Sequence, residues 1–157
     1  MGALVVDPSK CTACRACELA CSFTHEGAFV PELSRIRVVR LVDRGLNVPI
    51  VCVHCARPPC VDACPTGAAY IDPELAAVRI DEDECTGCAE CIKACPFGAV
   101  DLNADKGTAF VCDLCGGDPA CVANCIHGAL TLGRVQTVAQ RKRRATAESY
   151  ALGDQDR

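Results

Sequence analysis

Apolar positions come in short bursts along this chain, separated by polar turns. Residues 35–42 (RIRVVRLV) and 46–51 (LNVPIV) are rich in β-branched side chains and flank Asp43-Arg44-Gly45, which predicts a hairpin. Tyr70-Ile71 and Val78–Ile80 flank the turn DPEL, and Val100–Leu102 and Ala109–Val111 flank NADKG, which predicts two more. Brief helices are expected at ELA (18–20), IKA (92–94) and VAN (122–124). Val135 to Tyr150 holds no cysteine, glycine or proline and many helix formers, so a helix is predicted over 135–150, with GDQDR fraying beyond it. The longest apolar runs, such as VPIVCV at 48–53, are too short to cross a bilayer.

Composition changes this picture in one respect. Sixteen of 157 residues are cysteine, with no Trp, four Phe and two Tyr. A chain so poor in large apolar side chains needs cross-links or metal to hold it together. The amino terminus, MGALVVDPSKC, lacks a charged region followed by a long apolar stretch, and position 6 is not Ser or Thr. Neither a signal peptide nor myristoylation is expected, and a soluble cytoplasmic protein is. There, clustered thiols bind metal more often than they pair. A net charge of −4 argues against nucleic acid as the main partner.

The cysteines form four quartets with none left over: Cys11, Cys14, Cys17 and Cys21; Cys52, Cys55, Cys60 and Cys64; Cys85, Cys88, Cys91 and Cys95; Cys112, Cys115, Cys121 and Cys125. The first and third share C-x2-C-x2-C-x3-C, and the others widen the middle gap to four and five residues. Three closely spaced thiolates suit three corners of a cubane. In two-cluster ferredoxins the run ends in C-P, and its fourth cysteine serves the other cluster. The second and third quartets end that way, so they should exchange. One cluster takes Cys52, Cys55, Cys60 and Cys95, and another takes Cys85, Cys88, Cys91 and Cys64. The first and fourth quartets end in Cys21-Ser22 and Cys125-Ile126. That shared departure points to a second exchanging pair: Cys11, Cys14, Cys17 with Cys125, and Cys112, Cys115, Cys121 with Cys21. Four [4Fe–4S] clusters are therefore expected.

Other readings are weaker. Disulfides suit a secreted protein, and zinc prefers paired C-x2-C knuckles or Cys/His mixtures. His25, His54 and His127 sit near cysteines, but no ligand position is vacant, so hydrogen bonding near a cluster is expected of them. The acidic run 81–84 reads as a solvated turn, and Arg141-Lys142-Arg143-Arg144 as a solvated helix face. No nucleophile–base pair, G-x-G-x-x-G or P-loop is present, so a non-catalytic chain is expected.

At these residues the sequence resembles the four-cluster ferredoxin-type subunits of molybdenum and tungsten oxidoreductases, including dimethyl sulfoxide reductases, formate dehydrogenases and formate hydrogenlyase. The resemblance covers about residues 3–133 and rests on the four quartets, CxHCxxPPCxxxCP at 52–65, CDLCGGDPACVANC at 112–125 and CExxCSFxHEG at 17–27. CSFTHEGAFVPELSRIRV and the compact length look most like the small iron–sulfur subunit of tungsten aldehyde oxidoreductases. The resemblance implies an α+β fold of two nested ferredoxin-like modules: an outer one from 1–51 and 96–133, an inner one from 52–95, and a helical extension over 134–157. It implies electron relay between a Mo/W-cofactor catalytic subunit and a second redox partner, a flavin subunit or a ferredoxin. The carboxy-terminal helix would dock on a partner or a second copy. A free polyferredoxin, or the iron–sulfur subunit of a formate dehydrogenase or hydrogenase, is the alternative. Ile126, where proline is common, is expected to alter the backbone near Cys125.

Overall fold

The computed structural model describes residues 2–134 and, beyond them, Gln140, Arg143 and Ala147, which are helical and exposed. The remainder of the helix expected over 135–150 lies outside the described residues. Residues 2–134 form a small α+β assembly of four antiparallel two-stranded sheets and four α-helices, joined by short 3-10 turns. In chain order these are β1 (Gly2–Val6), α1 (Ala16–Glu26), β2 (Ile36–Leu41), β3 (Leu46–Val51), α2 (Pro59–Asp62), β4 (Ala69–Asp72), β5 (Ala77–Ile80), α3 (Glu90–Ala94), β6 (Val100–Asn103), β7 (Thr108–Val111), α4 (Ala120–Ala123) and β8 (Leu130–Arg134).

The three predicted hairpins form as β2–β3, β4–β5 and β6–β7, with strand ends shifted by a residue or so. Arg35 drops out of the first strand because its N–H is directed to Cys21 Sγ at 3.3 Å. The sheet that local pattern did not predict joins β1 to β8, from Val6 opposite Leu130 to Gly2 opposite Arg134. Asp7 N–H continues it to Ala129 O at 2.8 Å. Its partners lie far apart in sequence, so no turn signal announces the pairing.

The helices explain which quartets meet. α1 packs on α4, and α2 packs on α3. The first pair carries Cys17, Cys21 and Cys121, and the second carries Cys60 and Cys91. Between them lies a thin core of Ile36, Val38, Val51, Ala77, Val78, Val100, Val111 and Leu130, interleaved with the thiols of Cys17, Cys52, Cys91, Cys112 and Cys121. Among the described residues, no helix is long and apolar enough to cross a membrane.

α1 is longer than the expected helix and runs straight past Cys21, ending at left-handed Gly27. Ser22 therefore sits mid-helix and fully buried, its Oγ donating to Leu19 O at 3.1 Å and accepting from Val30 N–H at 3.2 Å. Proline there would lack the helical N–H and strike the carbonyl four residues back. Ile126 is a different case. Cys64, Cys95 and Cys125 each begin the same turn, closed by N–H bonds from Gly67, Gly98 and Gly128 back to the cysteine carbonyl at 3.4, 3.4 and 3.0 Å. Those glycines have φ of 75°, 62° and 64°. The expected backbone change at Ile126 is thus absent, since the Cys-Ile turn matches the two Cys-Pro turns. The missing prolines at 22 and 126 have separate causes.

Candidate iron–sulfur sites

All sixteen cysteines are free thiols. Cys11, Cys14, Cys17 and Cys125 line one open hollow of about 330 Å³. Cys52, Cys55, Cys60 and Cys95 line another of about 310 Å³. Cys85, Cys88, Cys91 and Cys64 line a third, also about 310 Å³. Each hollow draws three thiols from one quartet and the fourth from another. Of the remaining four, burial raises the thiols of Cys112, Cys115 and Cys121, and Cys21 lies close enough to each to add to the shift.

One backbone device recurs in every quartet. The residue just before the second cysteine is left-handed: Ala13 (φ 55°), His54 (47°), Gly87 (67°) and Leu114 (59°). Each turn curls the C-x2-C segment so that successive amides can face one concave side, a shape suited to anions. Three of the four residues are not glycine, and such strain collects at functional sites. Backbone amides also donate directly to thiol sulfurs. Arg35 N–H reaches Cys21 at 3.3 Å, and those of His54, Ala69, Ala99 and Ala109 reach Cys52, Cys64, Cys95 and Cys85 at 3.4 Å.

The donor set tests what could occupy these hollows. Burial pushes the thiols of Cys17 and Cys121 up to about 12 and Cys52 to about 11, and raises Cys112 as well. Burial also opposes ionisation of Cys64, but N–H donation from Ala69 and the Thr66 hydroxyl hold it below the ordinary thiol value. Four thiolates crowded in a buried hollow repel one another unless a cation neutralises them. Iron bound as a cubane does this and takes four sulfur ligands. The residues present fit four [4Fe–4S] clusters.

The surroundings of the fourth thiol group are the most charged. Asp113 Oδ1 accepts from Cys115 N–H and from His25 Nε2, both at 3.0 Å, and its Oδ2 lies 3.3 Å from Arg35 Nη1 and 4.0 Å from Arg79 Nη2. His25 Nδ1 lies 2.8 Å from Cys21 O, so both ring nitrogens face acceptors. Donor atoms of His25, Asp113 and Cys115 lie within 4.8 Å of one another. The His25–Asp113 bond and the place of Cys115 among four thiols account for that grouping. His127 lines the hollow of Cys11, Cys14, Cys17 and Cys125.

Sequence reasoning missed Asp113, Arg35 and Glu18. Glu18 is buried beside Cys17, and its Oε1 accepts the Val38 N–H at 2.6 Å, tying α1 to β2. Only the placement of Asp113 within C-D-L-C gave any signal, and Arg35 looked like an ordinary strand residue.

The 4Fe-4S dicluster domain family matches residues 44–135, and the 4Fe-4S binding domain family matches residues 4–23. The chain is 48% identical over 122 residues to the polyferredoxin-like subunit of an aliphatic sulfonate oxidoreductase of Pyrococcus furiosus, covering 78% of this chain and 70% of that one. It is 39% identical to the thiosulfate reductase electron transfer subunit PhsB of Salmonella typhi, covering 82% of this chain and 73% of PhsB. It is 34% identical to the electron transport protein HydN of Escherichia coli, covering 92% and 96%. Among solved structures, a chain of the active site complex BamBC of benzoyl coenzyme A reductase with benzoyl-CoA superposes with a TM-score of 0.51 at 25% identity, covering 98% of this chain and 95% of that one.

Proposed function

The chain belongs to the 4Fe-4S dicluster domain family, and on that premise we propose that it is the non-catalytic electron-transfer subunit of an oxidoreductase complex. It relays electrons between a molybdenum- or tungsten-cofactor catalytic subunit, of the aldehyde oxidoreductase type, and a second redox partner. The observation that supports this reading is that twelve thiols line three hollows in fours, each mixing two quartets, with the other four near one another. Its relatives are named as polyferredoxin-like, electron transfer and electron transport proteins, which supports the same role.

The ligand sets we propose are Cys11, Cys14, Cys17 and Cys125; Cys52, Cys55, Cys60 and Cys95; Cys85, Cys88, Cys91 and Cys64; and Cys112, Cys115, Cys121 and Cys21. When bound, each cluster would supply one-electron transfer within a fixed cage of ligands. The residues hold those cages in series. Cys17 is near enough to Cys121, and Cys52 to Cys112, for their charges to act on each other. The fourth group thus lies between the first and the second. The packing of α1 on α4 and of α2 on α3 supports an outer module of 1–51 with 96–133 around an inner module of 52–95. The partner type rests on CSFTHEGAFVPELSRIRV.

Anaerobic purification of the tagged chain from its host tests the role. A stoichiometric catalytic subunit containing molybdenum or tungsten is expected, with iron and sulfide on this chain. Clusters without any such partner would instead make it a diffusing carrier, and zinc without sulfide would end the redox reading. Ligand assignment is tested by electron paramagnetic resonance. Cys21→Ser and Cys112→Ser should remove the same signal and Cys14→Ser a different one.

A further inference from the structure

Among the described residues, two buried side-chain nitrogens have no hydrogen-bond partner: Arg35 Nε and His54 Nε2. A buried donor without an acceptor is costly, so each calls for an acceptor that the protein does not supply. Arg35 lies beside the fourth thiol group, and His54 lies beside Cys52 and near enough to Asp113 to feel its charge.

The tautomer of His54 is fixed by its neighbours. Val78 N–H donates to Nδ1 at 3.0 Å, so Nδ1 carries no proton and Nε2 does. Nδ1 lies 3.7 Å from Cys52 Sγ, on the side of its own quartet. Asp113, between Cys112 and Cys115, is near enough for its charge to act on the ring, and Cys52 itself neighbours Cys112. The ring therefore sits at the junction with the fourth group. Arg35 approaches that group from another side. Its backbone N–H is on Cys21 Sγ, its Nη1 is on Asp113, and its charge favours the Cys115 thiolate.

We infer that Arg35 Nε and His54 Nε2 donate to sulfur of the cluster on Cys21, Cys112, Cys115 and Cys121, and make that cluster the highest-potential member of the relay. The inference rests on the ligand sets proposed above. Reduction adds negative charge to the cluster's sulfurs, so N–H donors and nearby cations favour the reduced form. There the guanidiniums of Arg35 and Arg79 stand 3.3 and 4.0 Å from the carboxylate of Asp113. The residues lining the hollows of Cys52, Cys55, Cys60, Cys95 and of Cys85, Cys88, Cys91, Cys64 bring no charged side chain besides the thiols themselves. At the hollow of Cys11, Cys14, Cys17 and Cys125, Lys10 and Arg15 are more than half exposed, so water screens them. Arg35 and His54 are positioning residues: they tune a site in the middle of the chain of thiol groups, where a stable reduced state would store an electron.

The test is a redox titration of the holoprotein in its complex, followed by electron paramagnetic resonance, with the signal of interest defined as the one lost in Cys112→Ser. That signal should titrate at the highest potential in the unmodified protein. Arg35→Gln and His54→Phe should each lower its ratio of reduced to oxidised form about tenfold at fixed potential, a shift of about 59 mV for a one-electron couple. Arg35→Lys, which keeps the charge and loses Nε, should shift the same signal by less. Iron content should match the unmodified protein, and the other three signals should stay in place. Full iron with no shift in either variant overturns the inference and leaves the relay intact. So does a His54→Phe shift confined to the signal lost in Cys52→Ser. Loss of different signals in Cys21→Ser and Cys112→Ser overturns the ligand sets themselves.

Discussion

Ser22 and Ile126 follow the last cysteine of their quartets and look alike in sequence, yet proline should have opposite effects at the two positions. Ser22 is the seventh of eleven residues in α1 and is fully buried. Ser22→Pro removes a helical N–H and forces the ring against Glu18 O, for about 3 kcal/mol. It also pushes Cys21 away from helical geometry, and Cys21 is a proposed ligand. The two hydrogen bonds of Ser22 Oγ are lost as well, each worth about 1 kcal/mol. Ser22→Ala loses the hydroxyl and keeps the backbone, so the two variants should differ by about 3 kcal/mol, the backbone share. Ile126 is 81% exposed and begins a turn whose counterparts are Cys64-Pro65 and Cys95-Pro96. Ile126→Pro should be neutral or stabilise by about 0.5 kcal/mol through the unfolded chain. The assay is the anaerobic bleaching rate of the cluster absorption at fixed temperature, beside iron content after purification. If the backbone share is felt in opening, Ser22→Pro should bleach roughly 150-fold faster than Ser22→Ala. Equal rates for these two variants, or Ile126→Pro bleaching as fast as Ser22→Pro, would refute the reasoning.

Gly87 is left-handed like its counterparts, but there a Cβ would stand 2.2 Å from Gly107 O, whereas at Gly98 it would meet nothing within 4 Å. Gly87→Ala should therefore cost about 1 to 3 kcal/mol more than Gly98→Ala, and equal thermal midpoints for the two would count against this. Glu18→Ala strands the buried Val38 N–H and should lose about 3 kcal/mol, while Glu18→Gln keeps an acceptor and should lose about 1 kcal/mol. Matched denaturation of the two variants would show that the carboxylate does not anchor β2. Anaerobic chelation of iron should abolish most secondary structure by circular dichroism, because seven of the seventeen buried residues of the described core are thiols that only a cluster can hold together. A folded apoprotein would contradict that.

The local chemistry was legible in the sequence because it is written in local spacing. Quartets and turn residues act over a few positions, so the thiol groups, three hairpins and the four-cluster expectation could be read from residue types alone. The tertiary structure decided what depends on distant partners. The β1–β8 sheet joins the two ends of the described core, and the length of α1 reflects packing on α4 that no capping signal near Cys21 shows. Proline is missing at 22 because a helix continues there, whereas its absence at 126 leaves the turn unchanged. Gly87 could be seen as a turn residue, but its conflict with Gly107 O depends on the approach of another hairpin. Arg35 reads as a strand residue until its N–H is found on Cys21 Sγ and its guanidinium on Asp113. Spacing along the chain specifies which atoms can bind iron, and the packing of distant segments specifies which charges and donors surround each set.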